Sequence, residues 1–213
     1  MEHLPPPRID LLMYAPHYSA LVPVLEQLLE PSPPLTDLLA PQLHDNITSS
    51  SDQPRPRSYH ELLDRAQQLV DTWTIQDQSL FLSSHPRIGE TKGLSQLSGQ
   101  EQGPKQGQQQ TPGQVLKRLT MLNTLYEEAY PGLRFVTFVN GRPRVDIVPE
   151  IESALDLFLP RPSVETPEPR TQTLRERIKI HPMGSQQWRK ELDRGLKSMW
   201  LIAHDRLNKL GLN

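Results

Sequence analysis

The sequence contains no cysteine, and that absence excludes three kinds of chemistry at once. Without cysteine there are no disulfides, no thiolate nucleophile and no cysteine-ligated metal site. The composition therefore fits a reducing compartment, and any reactive role falls to other side chains.

The sequence also lacks a large excess of charge of one sign, and it lacks long hydrophobic runs. The 23 basic and 25 acidic residues leave a net charge of −2, so there is no electrostatic footprint for nucleic acid or an anionic membrane. Charge or proline interrupts every apolar stretch well short of the ~20 residues of a membrane span. Residues 1–8 lack the apolar core of a secretory signal, and the ending Gly211-Leu212-Asn213 is not a Ser-Lys-Leu type address. A cytoplasmic or peroxisomal location is expected.

Proline, in contrast, is abundant, with 22 in 213 residues, about twice the usual share of roughly 5%. Together with a hydrophobic content of 35%, this indicates one domain spanning residues 1–213 whose extra length is loop. Three polar tracts are too poor in apolar residues to order themselves and are predicted to be surface insertions. They run from Gln42 to Arg57, from Gly99 to Gln110 and from Leu159 to Thr173.

Apolar residues at steps of three and four predict helices elsewhere, and hence an all-α helical bundle. Ser58 and Glu61 are spaced as a capping box, and Thr111 and Gln114 repeat that spacing with proline at the first helical position. Gly211 is placed to stop the longest helix. Shorter helical pieces are predicted from Tyr18 to Leu29 and from Leu35 to Leu39. The three long stripes are Leu62, Ala66, Leu69 and Trp73; Val115, Leu119, Leu122, Tyr126 and Ala129; and Leu192, Leu196, Met199, Ala203, Leu207 and Leu210.

One segment departs from the helical pattern. Residues Leu133 to Val139 are β-branched and aromatic, and the turn-forming pair Asn140-Gly141 follows them. No second strand of comparable quality follows, because Arg144 to Phe158 returns to helical spacing. An extended segment without a sheet leaves backbone N–H and C=O groups that need partners, and a polar ligand could supply them. We therefore predict a ligand-binding segment here.

Three side chains are candidates for chemistry, each with a structural alternative. His85 precedes a proline and is predicted to sit on a rigid corner, either as a general acid or base or as a surface residue at a helix end. Glu101 stands three residues after Ser98, which is also the spacing of a helix cap. Arg206 borders the last apolar stripe and could bind a carboxylate or lie along the edge of the core. The other histidines lack metal-ligand spacing, so no metal site is expected.

Four short motifs, taken together in chain order, resemble the OHCU (2-oxo-4-hydroxy-4-carboxy-5-ureidoimidazoline) decarboxylase family. The resemblance runs from about Leu25 to Leu207, with the polar tracts as insertions. Many members have Asp-Leu after the His-Pro pair, where this chain has Arg87-Ile88. The motifs are His85-Pro86-Arg87-Ile88-Gly89, Ser98-x-x-Glu101-Gln102, Leu122-Asn123-x-x-Tyr126 and Phe135-Val136-x-x-Val139-x-Gly141-Arg142.

The resemblance implies an all-helical enzyme, usually a homodimer, that acts late in the conversion of urate to (S)-allantoin without a cofactor. His85 would be the proton donor and Glu101 its acidic partner. The resemblance also implies a set of substrate contacts, with Arg206 as the ligand of the carboxylate. These contacts are Pro86, Ser98, Gln102, the residues Phe135, Val136, Thr137, Phe138 and Val139, and Arg206.

Two other functions are compatible with the same sequence. A non-catalytic helical interaction protein could keep this fold while the Gly/Gln tract disables the site, and a metal-dependent hydrolase is a third possibility. Turnover of the ureidoimidazoline to (S)-allantoin separates the first interpretation from the second, and loss of rate with a chelator identifies the third.

Overall fold

The computed structural model describes residues 6–49, 54–90, 95, 97–99, 111–161 and 170–212. The regular structure in these ranges is helical and contains no β-strand, so the predicted all-α class is confirmed. Of the helices in these ranges, none combines the length and the apolar character needed to cross a membrane. The α-helices whose full extent lies in these ranges are α1 (Ile9–Met13), α2 (Val22–Leu29), α3 (Ala40–Ser49), α4 (Tyr59–Asp71), α5 (Ile75–Leu82), α6 (Gly113–Ala129), α7 (Val148–Ala154), α8 (Thr171–Arg175) and α9 (Gln186–Leu210).

The chain divides into two compact units, residues 1–84 with 199–213 and residues 85–198. Helix α9 belongs to the second unit up to Ser198 and to the first unit from Met199 onward. Each unit buries its own set of apolar side chains. The expectation of a single domain over residues 1–213 stays a prediction.

The first unit is built on α2, α3, α4 and α5, with short turns of 3₁₀ helix at Tyr18–Ala20 and π-helix at Leu35–Leu39. Helix α4 begins as predicted, because the Ser58 hydroxyl accepts a hydrogen bond from the Glu61 amide at 3.2 Å. The Glu61 carboxylate accepts a hydrogen bond from the Arg57 amide at 2.7 Å. In a standard capping box this carboxylate binds the amide of the capping residue itself, which here is Ser58, one position later. The core of this unit includes Leu25, Leu28, Leu39, Leu43, Leu62, Ala66, Phe81, Ala203 and Leu207.

The prediction of a surface insertion from Gln42 to Arg57 was wrong over its first half. Helix α3 continues to Ser49 and buries Leu43 and Ile47 completely or nearly so. These two side chains follow Leu39 at steps of four, so they lie on one helical face that packs into the core. The polar composition of the tract hid this stripe. Residues 50–53 lie outside the described part of the chain.

The second unit is organised around α6, whose predicted stripe from Val115 to Ala129 is buried throughout. The predicted start of this helix was displaced, because Pro112 lies just before the first helical residue and no side chain caps the helix. An ion pair between Arg118 and Glu152 is also buried here, with 2.7 Å between Nη1 and Oε1. It joins α6 to α7 through groups that are almost fully removed from water.

The other predicted insertions are described in part. The tract from Leu159 to Thr173 ends inside α8, which buries Leu174, so its last residues are helical and the loop prediction was wrong there. Residues 162–169 and 100–110 lie outside the described part. The segment from Leu133 to Val139 is extended without pairing to a strand, as predicted, and a turn at Asn140-Gly141 with positive φ at both residues follows it. A 3₁₀ turn at Arg144–Asp146 then leads into α7.

Candidate functional site

His85 opens the second unit at a corner that follows the end of α5. Helix α5 ends at Leu82, and the proline after His85 prevents the chain from continuing as helix. The His85 side chain is buried, with 2% of the residue exposed. Its backbone carbonyl accepts a hydrogen bond from Nη1 of Arg134 at 2.6 Å. A surface role at a helix end does not fit this degree of burial.

Residues 86–90 after the histidine are fixed to α6 by polar contacts. The Asn123 side chain donates from Nδ2 to the Ile88 carbonyl at 2.9 Å, and both residues are buried. Nε and Nη2 of Arg87 donate to the two carboxylate oxygens of Glu127 at 2.7 and 2.6 Å. These hydrogen bonds raise the pKa of Arg87. The arginine in place of the family's common aspartate thus has a partner on α6 that anchors the corner.

Gly89 makes a close approach of this corner to α6 possible. Its φ is +89°, which residues with a side chain rarely adopt. A Cβ at this position would lie 3.1 Å from Cδ1 and 3.2 Å from Cβ of Leu119. Glycine is therefore required both by the backbone conformation and by the available space.

The extended segment from Leu133 to Val139 is held by side chains that donate to its carbonyl groups. Arg194 of α9 donates from Nη1 to the Val136 carbonyl at 2.9 Å. Arg142 donates to the Phe138 carbonyl at 2.8 Å and to the Val139 carbonyl at 3.0 Å. The Thr137 hydroxyl donates to the Glu150 carboxylate of α7 at 2.8 Å. Side chains thus take the place of a neighbouring strand on the acceptor side of this segment.

The backbone N–H groups of the same segment differ from its carbonyl groups in their hydrogen bonding. In the described part of the chain, no group accepts a hydrogen bond from the backbone amides of residues 135–139. Phe135, Val136 and Thr137 are nevertheless buried, at 2%, 3% and 7% exposure. Buried amides in native proteins nearly always have a partner. A row of such amides is suited to a ligand that carries hydrogen-bond acceptors.

A polar cluster that sequence reasoning missed lies against this segment. Oε1 of Glu191 accepts hydrogen bonds from the Tyr126 hydroxyl at 2.8 Å and from Nε of Arg194 at 2.7 Å. The Arg194 guanidinium carbon lies 4.4 Å from the centre of the Phe135 ring, and that ring meets Tyr126 edge to face. Burial and the nearby Glu191 carboxylate raise the pKa of Tyr126 well above its usual value, so this phenol stays protonated.

The protonation state of Arg194 follows from two opposed effects. Burial by itself lowers the pKa of this guanidinium and is the largest single effect, but the combined interactions with Glu191 and Tyr126 outweigh it, so the pKa of Arg194 is raised. The group is therefore a fixed positive charge beside the extended segment. The signal that could have found it is the acid–base spacing of three residues between Glu191 and Arg194 at the edge of the last apolar stripe.

The remaining predicted site residues are placed as follows. Pro86 is half-buried and Ser98 is buried, and the Ser98 amide donates to the hydroxyl of Ser95 at 3.2 Å. Glu101 and Gln102 lie outside the described residues. The second unit therefore contains His85, Pro86, Ser98 and the extended segment. No cluster of three or more metal-ligating side chains occurs in the described ranges.

Arg206 lies in the first unit, where it is 1% exposed. Its Nη2 forms an ion pair with Oε1 of Glu30 at 2.7 Å. Its Nη1 donates to the carbonyl of Leu28 at 3.1 Å. Glu30 has a φ of 69°, a conformation that costs free energy for a residue with a side chain. The arginine predicted to hold a carboxylate thus holds one from its own chain.

Comparison with known proteins gives one family. The model of the OHCU decarboxylase family matches residues 15–172, which is about three quarters of the chain and includes the His85 corner and the extended segment. A search of curated proteins finds no match.

Proposed function

Since the chain belongs to the OHCU decarboxylase family, we propose that it converts 2-oxo-4-hydroxy-4-carboxy-5-ureidoimidazoline to (S)-allantoin. Membership of this family implies a decarboxylase that acts on a small molecule. The specific reaction, its place in urate breakdown and the homodimer implied by the resemblance are proposals.

The observation that carries the proposal is the pairing of a buried histidine with a buried row of amides in one unit. The His85 carbonyl accepts a hydrogen bond from the Arg134 side chain, and Arg134 directly precedes Phe135 in the extended segment. The histidine corner and the start of the segment are therefore in direct contact. A substrate rich in carbonyl, hydroxyl and ureido oxygens offers acceptors for these amides.

The reaction needs few groups. Breaking the bond between the carboxylate and the hydroxyl-bearing ring carbon releases CO2. The electron pair forms a C=C bond to the neighbouring ureido-bearing carbon, and the nitrogen of the former C=N bond takes the charge. No external electron sink is required for this step. The protein then has to orient the carboxylate, stabilise the developing charge with fixed donors and deliver a proton to one face of the ureido-bearing carbon. The neighbouring hydroxyl becomes the carbonyl of allantoin, and its proton passes to the ring nitrogen.

We assign these tasks to named side chains. His85 delivers the proton, because imidazole exchanges protons near neutral pH and a single face of the ureido-bearing carbon can be presented to it. Glu101 is proposed as its acidic partner, with Pro86, Ser98, Gln102 and residues 135–139 as substrate contacts. Arg206 is also proposed as a ligand of the substrate carboxylate. To bind it, Arg206 has to give up its ion pair with Glu30.

The test generates the unstable substrate from urate with the two preceding enzymes and follows the circular dichroism of allantoin. The protein should accelerate the appearance of the (S) signal. His85→Ala should reduce turnover by a factor of about 10² to 10⁴, the usual contribution of one acid–base group. His17→Ala, which removes an exposed histidine, is the matched control and should turn over normally. Absence of acceleration by the unaltered protein refutes the function, and normal turnover by His85→Ala removes this residue from the mechanism.

A further inference from the structure

The strongest unused feature of the second unit is one nitrogen of Arg194. Nε of this guanidinium donates to Glu191, and Nη1 donates to the Val136 carbonyl. Nη2 is buried and makes no hydrogen bond to any group in the described part of the chain. Two edges of the guanidinium are thus fixed by protein contacts, and the third carries donors that are withheld from water without an acceptor.

The surroundings of Nη2 indicate what kind of acceptor fits. The Phe135 ring, 4.4 Å from the guanidinium carbon, covers one side of the group. The nearest protein carboxylate, Glu191, already accepts from Nε and from the Tyr126 hydroxyl through the same oxygen. The same stretch of backbone that Arg194 binds carries the unpartnered amides of Phe135, Val136 and Thr137. A charged guanidinium N–H that is held in a fixed orientation binds carboxylates well.

We propose that Arg194 is a binding residue for the carboxylate of the ligand, with Nη2 as the donor. The identity of the ligand as a carboxylated cyclic ureide rests on the proposed function. The guanidinium is held in place before binding by Glu191, Val136 and Phe135, so little side-chain freedom is lost when the anion arrives. Arg206, the residue that the family resemblance assigns to the carboxylate, lies in the other unit with Glu30 as its ion-pair partner.

A purely structural role for Arg194, as a clamp on the Val136 carbonyl, makes different predictions. A clamp stabilises the segment whatever the charge of the ligand. A carboxylate ligand discriminates between an anionic and a neutral form of the same molecule. The experiment therefore measures the preference for charge and not affinity alone.

The stable probes are hydantoin-5-acetate and its neutral amide, hydantoin-5-acetamide, with dissociation constants measured by calorimetry. The unaltered protein should prefer the acetate by a factor of about 10 to 100, the worth of one charge-assisted hydrogen bond. Arg194→Gln keeps a donor for the Val136 carbonyl but removes the charge, and it should reduce the preference to about twofold or less. Arg175→Gln removes an exposed arginine of the same unit, paired with Glu128, and should keep the full preference.

The result that overturns the inference is an equal preference for the acetate in Arg194→Gln and in the unaltered protein, or no preference in the unaltered protein. Arg194→Lys serves as a second variant, because it retains the charge and should recover part of the preference if the first variant is poorly folded. In turnover, Arg194→Gln should raise KM by about tenfold or more with kcat changed by less than about threefold. A preference for the acetate without turnover of the ureidoimidazoline would refute the proposed function and leave the anion site standing. Turnover of the ureidoimidazoline without a preference for the acetate would refute the anion site and leave the proposed function standing.

Discussion

Replacing Asn123 with leucine should separate the anchoring of the His85 corner from the chemistry of the histidine. The wild-type amide donates to the Ile88 carbonyl at 2.9 Å, and the two residues are only 3% and 6% exposed. Leucine has a similar size but no donor, so the Ile88 carbonyl is left buried and unsatisfied. The cost of such a group is about 1–3 kcal/mol.

For a chain of this length that cost corresponds to a decrease in Tm of about 2–4 °C for each kcal/mol, and therefore to about 2–12 °C in all. The free energy of unfolding is measured by urea titration at constant slope. Turnover should also fall by about tenfold or more, because a displacement of the proton donor by a fraction of an ångström removes productive geometry. The loss should appear in kcat and not in KM, since Asn123 contacts no part of the extended segment's amides.

Thr124→Ala is the matched control on the same helix. Thr124 is exposed, and its hydroxyl donates to the Thr120 carbonyl within the helix. Its removal should change stability by less than about 0.5 kcal/mol and leave turnover intact. If Asn123→Leu unfolds at the same urea concentration as Thr124→Ala, the hydrogen bond to Ile88 is not an anchor. If it is destabilised as predicted and kcat is unchanged, the corner does not need that anchor to position His85.

Two further predictions concern backbone strain and pH. Gly89→Ala should destabilise the protein by about 1–3 kcal/mol, because alanine at a φ of +89° is strained and its Cβ meets Leu119 at 3.1 Å. Urea unfolding checks this, and an unchanged midpoint would show that the corner shifts freely. Burial raises the pKa of Tyr59 to about 12, so the folded state keeps this proton at a pH at which the unfolded chain has lost it. Its contribution to stability is thus complete below pH 10, the ordinary pKa, and is lost as the pH rises through about 12. The difference in unfolding free energy between the unaltered protein and Tyr59→Phe should decrease over that range, and a constant difference would refute the assignment.

Much of the fold could be predicted from the chain because helical periodicity is local. The stripe from Val115 to Ala129 and the stop at Gly211 are each determined by residues within a few turns of one another, and both predictions are confirmed. The failure at Gln42 to Arg57 has the same origin. Two buried side chains in a polar tract are a weak local signal, and packing against other helices decides whether such a tract is ordered.

The candidate site was less predictable than the fold. The His-Pro pair and the extended segment stand out in the sequence, because proline and a β-rich run are unusual in a helical chain. Arg134 gave no such signal. The three-residue spacing of Glu191 and Arg194 is only a weak one, since a charged residue at the edge of a stripe most often faces water. Their roles depend on contacts between residues that are far apart in sequence, such as the 58 positions that separate Arg194 from the Val136 carbonyl.

The sequence by itself determined the helical class, the extended interruption at residues 133–139 and the absence of cysteine chemistry, because these follow from spacing, propensity and composition. Only the tertiary structure decided which charges are withdrawn from water and paired. Arg206 was expected to bind a ligand, which stays a prediction, and the folded chain pairs it with Glu30. Arg194 was not singled out, and it binds the segment that carries the unpartnered amides. The physical reason is that the energy of a charge depends on burial and on its nearest partners, and both are properties of the folded chain.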